Sequence, residues 1–171
     1  METESNFNQI RPLQETDLDE VMSIWLTSNL EAHSFISSNY WKSHVDEVRE
    51  AIATAAQVYV YEDGTHGIMG FIGIVSDNFI AGLFVRGSHR SQGIGKALIQ
   101  YCQREYSFLS LKVFTKNHRA CLFYQREGFT LQEESLDPST NEKEYYMVWK
   151  KEGEEEEEEE RKEEEEETGK K

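Results

Sequence analysis

The stretch that most constrains this chain is Phe79-Ile80-Ala81-Gly82-Leu83-Phe84-Val85, followed after a short connector by Arg90-Ser91-Gln92-Gly93-Ile94-Gly95-Lys96-Ala97-Leu98. The first run is apolar, β-branched and aromatic, which suits a buried strand. After the glycines, Ile94, Ala97, Leu98, Tyr101 and Cys102 recur at helical spacing. The segment therefore reads as strand, glycine turn, helix. A helix start leaves backbone N–H groups without intrahelical partners and carries the positive end of the helix dipole. Glycines there let an anion approach the backbone with no Cβ in the way. The stretch is a candidate phosphate cradle.

Two nucleotide chemistries fail on spacing. A Walker loop needs GxxxxGK followed by Ser or Thr, but Gly95-Lys96 is followed by Ala97, and Arg90 holds the first glycine position. A dinucleotide loop needs a third glycine where Leu98 stands, and the strands before this one read as antiparallel.

The rest of the chain is one domain's worth of residues. Leu18, Val21, Met22, Trp25 and Leu26 form one helical stripe behind a cap at Thr16 or Asp17. Residues 31–41 mix aromatics and small polar side chains without a clean period and read as a loop or a broken helical turn. Trp41, Val45, Val48 and Ile52 restore a helical stripe, and residues 58–61 and 68–75 read as a hairpin leading into the Phe79 strand. Downstream, residues 109–115 alternate as a half-buried strand. A strand, a helix and another strand in succession predict a right-handed crossover and a parallel pair. Asn117 caps a further helix in which Ala120, Phe123 and Tyr124 share a face and Gly128 marks the end, before a last antiparallel pair at 129–131 and 145–149.

Charge separates body from tail. From Glu152 onward 13 acidic and four basic residues account for −9 of the total −15, which leaves −6 on the first 151 residues. A mildly acidic body argues against a nucleic-acid partner, which needs clustered Lys and Arg. Like-charge runs repel and bury nothing, so residues 152–171 are expected to be a disordered or transiently helical acidic tail, with residues 1–151 as the single domain and residues 1–6 frayed. Cys102 and Cys121 have no metal spacing and are expected as buried, reduced thiols, and no metal site is expected. The N-terminus lacks a leader pattern and no apolar run reaches the roughly 18 residues of a membrane span. A soluble cytoplasmic protein with no membrane partner is the expectation.

Taken together, Arg90-x-x-Gly93-x-Gly95 after an apolar strand, then Asn117 and Phe123-Tyr124-x-x-x-Gly128-Phe129, resemble the GCN5-related N-acetyltransferase (GNAT) family over about residues 7–150. The run His33-x-Phe35-Ile36-x-x-x-Tyr40-Trp41 is similar to the small bacterial peptidyl-lysine N-acetyltransferases within it. The resemblance implies a mixed α/β, GNAT-like acyl-CoA N-acyltransferase fold: a mostly antiparallel central sheet with a splayed parallel pair and flanking helices. It implies acetyl-CoA as co-substrate and an amine acceptor that attacks it directly in a ternary complex, with a protein lysine ahead of a small amine such as a polyamine or an aminoglycoside antibiotic. A non-catalytic acyl-CoA-binding module is the alternative from another class. It implies that Arg90, Ser91, Gln92, Gly93, Ile94, Gly95 and Lys96 hold the pyrophosphate, and that Leu83, Phe84 and Val85 hold the pantetheine arm with Asn117 beside it. Gly82 would mark the bulge that opens the slot, and Tyr124 would be the general acid. His33, Phe35, Tyr40 and Phe79 are the acceptor-side candidates. The Phe79–Val85 strand contains no acid, so Glu31 and His33 are the candidate bases.

Overall fold

A computed structural model of the chain describes residues 7–54, 56–87, 92–152 and 154–169. The expected fraying of residues 1–6 lies outside them. Strand β1 (Ile10–Pro12) ends at the proline and leads through a 3-10 turn (Glu15–Asp17) into α1 (Leu18–Ala32). Two shorter helices follow, α2 (Ser38–Ser43) and α3 (Val45–Thr54). Strands β2 (Gln57–Asp63), β3 (Gly67–Val75) and β4 (Phe79–Val85) form the expected meander. Helix α4 (Ile94–Glu105) crosses over to β5 (Phe108–Phe114). Helix α5 (His118–Arg126), the hairpin β6 (Thr130–Asp137) and β7 (Glu142–Lys150), and α6 (Glu154–Gly169) complete the chain. The seven strands lie in the order β1-β2-β3-β4-β5-β7-β6, antiparallel except for β4 with β5.

Period-two side-chain alternation gives the sheet two different faces. Val58, Val60 and Phe71 pack with Val21, Ile24, Trp25 and Trp41 of the α1–α3 layer. Ile72, Ile80, Leu109 and Leu111 pack with Leu98, Ile99 and Cys102 of α4 and with Tyr124 of α5. Cys102 is buried as expected and its thiol is pushed up to about 12 by desolvation, whereas Cys121 is only half-buried.

The N-terminal layer is tied to the sheet by one charged joint. Arg11 grips Asp17 with two guanidinium nitrogens at 2.7 and 3.0 Å and Glu62 with Nε at 2.6 Å, and the Gln14 N–H donates to Asp17 at 2.7 Å. Asp17 thus works as a joint between β1, the first helical turn and β2; its carboxylate, taken by Arg11 and the Gln14 N–H, makes no cap bond to α1, where a cap at Thr16 or Asp17 is expected.

Residues 31–41 are the broken helical stretch of the two alternatives: α1 runs to Ala32 and α2 begins at Ser38, with Ser37 capping through its hydroxyl. In the tail, residues 154–169 form a 16-residue helix. Glutamate is among the better helix formers, and Arg161 and Lys162 interrupt the acidic run at i,i+4 spacing to glutamates on both sides, which offsets part of the repulsion.

Candidate active site

The parallel pair is very short. Only Phe79 with Ser110 and Ile80 with Leu111 are in register, while β5 stays paired with β7 along its whole length. Immediately past Ile80 the β3–β4 register shifts, with Gly73 opposite Gly82 and Ile74 opposite Ile80, so Ala81 is the extra residue of a bulge. A bulge bends its strand and increases its twist. Strand β4 therefore leaves β5 after Ile80. The glycine at 82 has a steric reason, because the Phe84 ring folds back over it and a Cβ there would meet that ring.

The divergence exposes a strand edge inside the protein. The Arg86 N–H bonds to the Met69 carbonyl of β3, so by strand alternation Phe84 also directs its backbone groups to β3. Leu83 and Val85 then direct theirs into the gap beside β5. A ligand with alternating amide donors and acceptors can pair with this edge as another strand would.

Helix α4 begins at the same end of the gap. Gly93 is its N-cap in the left-handed region (φ 79°), and helix geometry leaves the N–H groups of Ile94, Gly95 and Lys96 without intrahelical acceptors. A Cβ at Gly95 would stand 3.6 Å from both Val85 and Phe123, so the helix start, the end of β4 and α5 converge there. Gln92 adjoins this turn, while Arg90 and Ser91 lie outside the described residues. With nothing within 4 Å of a Cβ at Gly93, its requirement is purely conformational. Gly93→Ala should cost about 1–2 kcal/mol of backbone strain or re-aim the first N–H groups. The expected result, by urea unfolding of the two proteins, is a loss of stability of about that size.

Tyr124 sits on α5, against Phe123 and Phe129 at ring distances of 5.2 and 5.6 Å, and is 8% exposed. Burial drives its phenol above the ordinary tyrosine range. The side chain stays protonated and can serve as a proton donor.

Asn117 caps α5, its Oδ1 accepting the Ala120 N–H at 3.3 Å. Its Nδ2 lies 3.1 Å from His33 Nε2, and His33 Nδ1 lies 3.1 Å from Asn29 Oδ1. The amide expected to reach the pantetheine arm is thus engaged at both ends within the chain. His33 is caged by rings, stacked on Trp41 at 5.3 Å and edge-on to Phe35 and Phe114, and desolvation lowers its pKa to about 4.

The acceptor-side candidates divide into two groups. His33 and Phe35 cluster on Phe114 at the open end of the gap, with Tyr40 beside Trp41. Phe79 lies at the closed end, in a cleft of about 460 Å³ shared with Asp77, Ser110, Lys112 and Tyr146. Glu31 lies against Gly87, where a Cβ would come within 3.3 Å of its carboxylate. Two residues escape the sequence reading. Asn29 stands four before His33 on the same helical face, a spacing visible in the sequence. Glu144 stands opposite Phe114 across β5–β7, with its pKa raised by burial and then by Asp137; nothing local in the sequence marks it.

Comparison with known proteins gives this arrangement a family. An acetyltransferase (GNAT) domain profile matches residues 54–131. The chain is 36% identical over 140 residues to the peptidyl-lysine N-acetyltransferase YiaC of Escherichia coli, covering 82% of this chain and 95% of that one. The chain belongs to the GNAT acetyltransferase family. As a GNAT protein it is an N-acetyltransferase, moving an acetyl group to an amine. The solution structure of apo YjaB from E. coli superposes with a TM-score of 0.72 at 24% identity, covering 82% of this chain and 95% of that one. A Bacillus anthracis chain provisionally assigned as a streptothricin acetyltransferase, solved with acetyl coenzyme A, matches at a TM-score of 0.50 and 21% identity, over 57% of this GNAT chain and 63% of its own. Among the described residues no helix is long and apolar enough to cross a membrane and no cluster could hold a metal ion.

Proposed function

We propose that this GNAT enzyme acetylates lysine side chains of proteins in the cytoplasm, with residues 1–151 as its catalytic domain and the acidic residues 152–171 appended to it. The observation that carries the reading is the two-residue parallel pair, which opens an unpaired edge on β4 directly beside the start of α4. The 36% identical relative supports lysine as acceptor.

Acetyl-CoA supplies the acetyl group as a thioester. The backbone groups of Leu83 and Val85 hold its amide-bearing arm along the edge of β4, with Phe84 maintaining the strand against β3. The N–H groups of Ile94, Gly95 and Lys96, with the Lys96 ammonium, Gln92 and the adjoining Arg90 and Ser91, hold the pyrophosphate. Tyr124 delivers a proton to the departing sulfur, so the leaving group is a thiol and not a thiolate. A lysine ammonium with an ordinary pKa near 10.4 must first lose a proton. Glu144, desolvated on the face where Phe35, Tyr40 and Phe114 gather, is our candidate to receive it.

The test is a panel of acceptors with acetyl-CoA: a lysine peptide with a blocked N-terminus, a lysine-free peptide with a free N-terminus, spermidine and an aminoglycoside. Mass spectrometry should find the acetyl group on lysine Nε at the highest turnover. Faster acetylation of either small amine would transfer the assignment to that class, and turnover on none would favour a binding module.

A further inference from the structure

His33 makes three ring contacts, with Phe35, Trp41 and Phe114, and two polar contacts that occupy both ring nitrogens. We infer that His33 is a positioning residue: from the end of α1 it holds the Asn117 amide, and through Asn117 it sets the first turn of α5 and the place of the Tyr124 hydroxyl. This rests on the reading of Tyr124 as proton donor.

The hydrogen bonds admit one direction only. Asn117 Oδ1 is committed to the Ala120 N–H, so the atom facing His33 is Nδ2, a donor. His33 Nε2 must accept, which puts the ring proton on Nδ1, facing Asn29 Oδ1 at 3.1 Å. Asn29 Nδ2 then donates to the Trp25 carbonyl at 2.9 Å. Every member is satisfied by this tautomer. Turning the Asn117 amide over would set its NH2 group against the Ala120 N–H and undo the cap. Protonating Nε2 would set donor against donor. With Nε2 occupied and the ring neutral at physiological pH, His33 is not free to act as the base.

Location supplies the consequence. Helices α1 and α5 pack on opposite faces of the sheet, and the His33–Asn117 bond joins residues 84 apart beside Phe114, at the end of β5 that β4 has left. Here no strand pairing holds the two layers together. Tyr124 follows Asn117 by seven residues, two turns along one face of α5. A shift of the first turn therefore displaces the phenol. Displacements near 1 Å are enough to cost on the order of 100-fold in rate.

The test separates the two ring nitrogens. His33→Gln retains an acceptor in the place of Nε2, whereas His33→Asn retains only a polar group in the place of Nδ1. With the full chain, acetyl-CoA and the best acceptor, His33→Asn should lose about 10- to 100-fold in kcat with KM for acetyl-CoA nearly unchanged, and His33→Gln should recover most of it. In a Tyr124→Phe background the two variants should become equal, because the phenol they position is gone. Equal losses in the parent, or a loss in KM alone, would overturn the proposal. A split that persists in the Tyr124→Phe background would overturn the route through Tyr124. If Tyr124→Phe by itself leaves kcat unchanged, the proton-donor reading has failed, while a Gln/Asn split would still assign His33 to positioning α5. Independently of folding in the variants, 15N NMR of His33 in the unmodified chain should show the Nδ1–H tautomer, and the Nε2–H tautomer would refute the assignment.

Discussion

Replacing Tyr124 by phenylalanine should lower kcat by about 100- to 10,000-fold while leaving acetyl-CoA binding and folding nearly intact. The ring contacts with Phe123 and Phe129 belong to the benzene ring and survive the change, so the core around Leu98 and Leu111 is preserved. What disappears is one O–H. A buried phenol with a raised pKa has a further signature, since it remains protonated across the ordinary assay range. The kcat profile of the parent should show no alkaline decline from tyrosine ionisation below about pH 10. A steady-state comparison across pH 6–9.5, with thiol release as the signal, checks both statements. Equal turnover of the two proteins at every pH would remove Tyr124 from the chemistry.

The parts of this site that were legible in the sequence are those whose cause is local. The β4 run, the αL glycine at 93, the cap at Asn117 and the glycine at 128 each follow from backbone conformation or from a bond within four residues. The parallel step follows from order along the chain, and Gly82 does stand next to the extra residue, Ala81. Side-chain partners distant in sequence were not legible. The bond between Asn117 and His33 is of this kind, since the two meet across 84 residues and neither residue type announces the other. Residues 31–41 lacked a helical period because their aromatics serve a tertiary cluster around His33 and Trp41 and not a single stripe. Strand β6 continues to Asp137, well past Leu131, because it is a solvent-exposed edge where no buried face imposes alternation.

The largest stability loss is expected at the charged joint of the N-terminal layer. Asp17→Ala removes the bidentate partner of Arg11 and the acceptor of the Gln14 N–H together. Asp17 is 7% exposed, and the Arg11 guanidinium beside it holds its carboxyl below the usual carboxylate range. Glu62 remains to Arg11, so the loss should be about 2–4 kcal/mol and not the full cost of an orphaned buried charge. For a chain of this size that lowers Tm by about 5–15 °C. The pH dependence identifies the group. A carboxyl with a depressed folded pKa contributes stability that is complete above its unfolded value near 3.9 and is lost as pH falls through the folded one. His33 contributes a separate limb: its folded pKa of about 4 lies below the unfolded 6.5, so stability declines as pH falls from 6.5 towards 4. Urea unfolding of the parent from pH 2.5 to 8 should therefore show two successive declines on acidification. Asp17→Ala should flatten the lower limb and spare the upper one, while His33→Gln should do the reverse. If Asp17→Ala left the lower limb in place, the carboxylate would not be what fastens β1 and α1 to β2.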